Sequence, residues 1–151
     1  MAITKGNKGR ILAVCTSSEK HVKKEPHQSC LLLKEHGLDG DSHAGPGHKQ
    51  VSLLARESVV KMERDGLKLP AGVFGENILT EGIELLSLEV GQRVKAGGSA
   101  VLEITEKGKT CVTPCSIFQH VGFCVMPTEG IFARVVEPGE LFPGDTLEVM
   151  E

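Results

Sequence analysis

Apolar residues fall into short runs along the chain: RILAVCTS (10–17), QVSLL (50–54), NILT (77–80), AVLEIT (100–105) and DTLEVM (145–150). Glycine and proline are spread between them. In AVLEIT, Val101, Glu103 and Thr105 alternate with Leu102 and Ile104, which is the period of a half-buried strand. Runs this short, separated by turn residues, predict a β-barrel or sandwich. Two helices are also expected. One runs from about Ser52 to Asp65, with Ser52 as its cap, Gly66 as its stop and Glu57 placed four residues before Lys61 as a surface pair. The other is shorter, from Glu129 to Val136, capped by Thr128 and ended by Pro138-Gly139. No repeat, low-complexity segment or boundary interrupts the pattern, so a single domain over 1–151 is expected.

A chain of 151 residues buries roughly two-thirds of the surface it exposes when unfolded, so its core needs neither disulfide nor metal. A net charge of −3 lacks the basic footprint of a nucleic-acid surface. With no Trp or Tyr there is little to stack bases on, so nucleic acid is not an expected partner. No apolar run is long enough for a membrane span, and none of signal-peptide length follows MAITKGNKGR, so a cytoplasmic protein is expected. An odd number of cysteines, five, suits reduced thiols better than a disulfide framework in that compartment.

Four stretches hold candidate chemistry. HGLDGDSHAGPGHKQ (36–50) is a glycine-rich loop whose backbone can approach a ligand, or an ordinary surface turn. The spacing of its His36, His43 and His48 matches no common zinc pattern. In GVFGENILTEGI (72–83), Glu76 and Asn77 follow a turn. The Asn77 amide suits the edge of a heterocycle, or closes the turn on its own backbone. GKTCVTPC (108–115) places Cys111 and Cys115 in a Cys-x3-Cys spacing that is not a zinc knuckle. Lys107 and Lys109 lie close by in sequence, and ammonium charge favours the thiolate. Two half-buried cysteines at a strand end are the alternative. In FCVMPTEGIFARV (123–135), the N-terminal amides of the expected helix offer a place for an anion such as phosphate.

Taken together and in order, GLDGDSHAG (37–45), QVSLLARES (50–58), GVFGENILTEGI (72–83), GKTCVTPCSIF (108–118), CVMPTEGIFARV (124–135) and PGDTLEV (143–149) resemble the MOSC domain. That family is named after the C-terminal domain of molybdenum-cofactor sulfurase. The resemblance runs from about residue 9 to residue 151, and the length suggests a small stand-alone form without a pyridoxal-phosphate desulfurase domain. It implies a mainly β fold, a strongly twisted barrel of the pyruvate-kinase-barrel type with a few short helices. It also implies a working cysteine late in the chain, which falls here on Cys111 or Cys115, with Cys111 slightly ahead because it follows the GKT turn. Close relatives have His after the first cysteine, where this chain has Val112. Cofactor-binding relatives pair an Arg with an Asn in the segment matching FGEN (74–77); Asn77 is kept, but the Arg position is Gly75. By the same resemblance Asp41, His43, Gly45, Asn77, Lys109 and Arg134 become candidate cofactor-binding residues, with Lys107, Lys109 or Arg134 as the phosphate anchor.

The function that the resemblance implies is a molybdenum-cofactor (molybdopterin) protein. The thiol of Cys111 or Cys115 either carries sulfur as a persulfide or ligates molybdenum. A cysteine desulfurase or other sulfur donor and molybdenum-cofactor proteins are its expected partners. Two other readings stay open: a metal-independent thiol enzyme acting on a small sulfur or nitrogen metabolite, and a non-catalytic interaction module of cofactor assembly.

Overall fold

In the computed structural model, residues 8–19, 23–42, 44–47, 49–60, 63, 69–107 and 130–150 are described. Their strands are β1 (Lys8–Thr16), β2 (Glu25–His27), β3 (Cys30–Leu33), β4 (Gly37–Leu38), β5 (Val51–Ala55), β6 (Ile78–Glu81), β7 (Arg93–Ala96), β8 (Ala100–Lys107), β9 (Ile131–Glu137), β10 (Gly139–Leu141) and β11 (Thr146–Val149). One α-helix, α1 (Arg56–Val60), and a single 3-10 turn, Leu85–Ser87, accompany them among these residues.

Seven strands follow one another in the order β11-β7-β8-β9-β5-β6-β1, and β11 returns to pair with β1. This is the twisted β-barrel expected from the sequence. β1 closes it by dividing one edge between two partners. Its first residues pair with β11 (Lys8↔Glu148 to Arg10↔Thr146), its last with β2 (Val14↔His27 to Thr16↔Glu25). The other edge of β1 carries β6, with an irregular register between Ile11 and Ala13. Of the barrel pairings only β5–β6 is parallel. A small second sheet, β10-β3-β4, stands beside the barrel.

The inward core is built from alternate residues of the strands, with a change of step in β1 at its irregular register: Ile11 and Val14 of β1, Leu53 of β5, Ile78 of β6, Leu102 and Ile104 of β8, and Ile131 of β9, among others. A second core uses the residues between them. Cys15, Leu54, Leu79 and Phe132 pack under Val59 of α1 and Leu69, Val73 and Phe74. Strands β1, β5, β6 and β9 are therefore covered on both faces where they meet. That is why VSLLA of β5 is buried at every position while AVLEIT, covered on one face, alternates.

The first expected helix starts later than expected, and the described part of the second is a strand. Residues Val51–Ala55 are paired on both sides, with Ser52↔Phe132 toward β9 and Leu53↔Ile78 toward β6, and the helix begins only at Arg56. The described part of the other expected helix is β9, paired with β8 and β5. The expected anion place at its start, Thr128 and Glu129, lies outside the described residues. Local capping signals lost here to two ladders of backbone hydrogen bonds and to burial of Ile131, Phe132 and Val135. Among the described residues no helix is long and apolar enough to cross a membrane.

Leu102 is fully buried in the inward core, whereas Val90 is 63% exposed. Leu102→Ala is expected to cost about 2–5 kcal/mol and Val90→Ala less than about 0.5 kcal/mol, read as the shift of the urea unfolding midpoint.

Candidate functional site

Where β1 ends and β6 begins, the outer face of the barrel changes from apolar to polar. Asn77, just ahead of β6, is fully buried. Its Oδ1 accepts the Ser52 N–H at 2.9 Å and lies 3.2 Å from Ser52 Oγ, and its Nδ2 donates to the Cys15 carbonyl at 3.0 Å. The Cys15 N–H donates in turn to the Asn77 carbonyl at 2.7 Å. One side chain thus stitches β5 to β1. The Ser52 hydroxyl belongs to this knot, within 3.3 Å of the Gly75 carbonyl, rather than to a helix cap.

Glu76 precedes it and is 1% exposed. Its two carboxylate oxygens accept the N–H groups of Gly72 at 2.7 Å and Phe74 at 3.2 Å, closing the turn on itself. Burial pushes this carboxyl up to about 7, against the pull of those N–H groups and of the Lys24 charge. Gly72 is where the turn meets the chain ahead of β2. Its φ is +86°, and a Cβ there would lie 2.0 Å from the Lys24 carbonyl oxygen. Only glycine allows this approach, which the Lys24 N–H seals by donating to the Gly72 carbonyl at 2.8 Å.

Lys24 then reaches Asp41. Its Nζ donates to Asp41 Oδ1 at 2.7 Å, and neither side chain is exposed. Asp41 Oδ1 also accepts the Ser17 N–H at 3.1 Å, and Lys24 Nζ lies 3.3 Å from Ser17 Oγ. The Ser42 N–H donates to the Ser17 carbonyl at 2.7 Å. Burial alone would raise the Asp41 carboxyl. The Lys24 hydrogen bond and charge, helped by Ser17 and the Asn77 side chain, outweigh it and hold Asp41 below its usual value. The loop after β4, the segment between β1 and β2, and the turn before β6 therefore share one buried ionic junction.

Of the residues singled out in the sequence, this junction brings Asp41 and Asn77 together. Gly45 lies further along the Asp41 loop, with φ +138° and its N–H on the His36 carbonyl at 2.7 Å. Arg134, on β9, donates to Glu103 at 3.0 Å and to Glu35, and Lys107 donates to the Leu86 carbonyl at 2.8 Å. His43, Lys109, Cys111 and Cys115 lie outside the described residues. So does His48, and among the described residues no group of three or more His, Cys, Asp and Glu could hold a metal ion. Lys24 and Ser17 were not singled out. Nothing in HVKKEPH marks one lysine as buried, because its partner comes from a different loop.

Cys15 and Cys30 are buried free thiols. Burial, with the Glu76 charge beside it, pushes Cys15 up to about 12; burial and Asp41 push Cys30 up to about 11. Neither is a ready thiolate at neutral pH.

The family model for the MOSC domain matches residues 39–148. The chain belongs to the MOSC domain family. Solved structures show the same fold. The YUAD protein from Bacillus subtilis is 18% identical, with a TM-score of 0.77 over 94% of this chain and 95% of that one. YiiM from Geobacillus stearothermophilus is 22% identical, with a TM-score of 0.70 over 95% of this chain and 75% of that one. YiiM from Escherichia coli is 19% identical, with a TM-score of 0.68 over 94% and 70%. No curated protein matches the sequence of this MOSC chain.

Two expectations follow. Lys24→Met and Asp41→Asn each break the buried ion pair from one side and should cost about 3–5 kcal/mol in urea unfolding, while Lys24→Met with Asp41→Leu recovers part of that loss. Because the Asp41 carboxyl is held below its ordinary value of 3.8 in the fold, its contribution is fully present above that pH. It is lost as acid takes the pH lower, and the double variant should lack that portion of the acid loss. Secondly, the peptides bearing Cys15 and Cys30 should stay unlabelled by an alkylating reagent at neutral pH until the protein is unfolded, as read by mass spectrometry.

Proposed function

We propose that this MOSC-family chain is a sulfur carrier of molybdenum-cofactor chemistry, with one thiol of Cys111 or Cys115 holding sulfane sulfur as a persulfide. The observation that carries this reading is the burial of the two described thiols. Cys15 and Cys30 are sealed in the fold with raised pKa values, which leaves reactive sulfur chemistry to the cysteines of GKTCVTPC and to Cys124. The first two stand beside lysines in sequence and inside the matched MOSC region. The strands on either side support the reading too, since Lys107 of β8 is paired with Ile131 of β9 and the segment starts and returns at neighbouring points of the barrel.

The described residues carried over from cofactor-binding relatives fit an anionic pterin phosphate poorly. Asp41 is itself acidic and bonded to Lys24, Asn77 spends its amide on two strands, and Arg134 is matched by two carboxylates. That favours a carrier over a retained cofactor.

The chemistry then rests on thiols alone. The thiolate attacks the outer sulfur of a donor persulfide, such as that of a cysteine desulfurase. A new S–S bond forms, the donor's S–S bond breaks, and the donor leaves as its thiolate. An acceptor thereafter takes the outer sulfur and the protein thiolate is restored. If the second cysteine attacks the inner sulfur first, a disulfide forms and hydrosulfide leaves, which ends the loaded state.

The test is mass spectrometry of oxygen-free protein after incubation with a cysteine desulfurase and cysteine. A gain of about 32 Da, one sulfur, is expected on the peptide bearing Cys111 and Cys115; it should vanish in one of the single variants Cys111→Ser and Cys115→Ser and persist in the other. Absence of the gain, with both thiols slow to alkylate, sinks the carrier reading. Absence of the gain with stoichiometric molybdenum and pterin in the purified protein would replace it by a thiolate ligand.

A further inference from the structure

We draw no further inference here: the strongest candidate, the apolar groove on the outer face of the barrel lined by Leu12, Leu69, Pro70, Leu79 and the Arg56–Glu63 ion pair, is a surface for which nothing in the structure shows what covers it.

Discussion

A closed sheet needs one strand able to serve partners on both sides of the seam, and here that strand is β1. Its early residues take β11, its late residues take β2, and its far edge takes β6. Closure leaves the barrel strands without open edges and lets the inward core fill from every strand. It also fixes where β1 ends. Cys15 and Thr16 are still in the sheet, and Ser17 emerges at the rim beside Asn77 and Asp41. The polar junction exists because the antiparallel pairing of β1 with β6 puts the end of β1 next to the start of β6.

That junction replaces a stretch of hydrophobic core with charge, which the fold tolerates only because the donors and acceptors described there meet. The two cores make the contrast plain. Inside the barrel and under α1, residues can be exchanged for others of similar volume with modest loss. At Lys24, Asp41, Glu76 and Asn77 each buried polar group is bonded to particular partners, so the same loops are held by few interactions of high individual cost. Loops tied in this way keep a defined backbone.

Much of the barrel was legible. RILAVCTS, NILT, AVLEIT and DTLEVM each became a strand, because apolar period and turn residues are local properties. The helical expectations failed at Ser52 and at residues 131–136 for a shared reason. Ser52 carries a good capping side chain and Thr128 does too, but a cap stabilises by about 1 kcal/mol, less than pairing a strand on both sides and burying its apolar residues. A central strand looks locally like the start of a helix when both of its faces are apolar.

The sequence by itself determined a mainly β chain, the order of its motifs, and through them membership of the MOSC family with a cysteine pair at 111 and 115. Asp41 and Asn77 were visible as well, being polar residues set among glycines. Only the tertiary structure decided that they share one junction, that Lys24 and Glu76 complete it, and that Cys15 and Cys30 are shut away. The physical reason is that burial and charge pairing are properties of places in space. Lys24, Asp41 and Glu76 come from three separated segments, and nothing in the neighbours of each along the chain records that the other two will surround it.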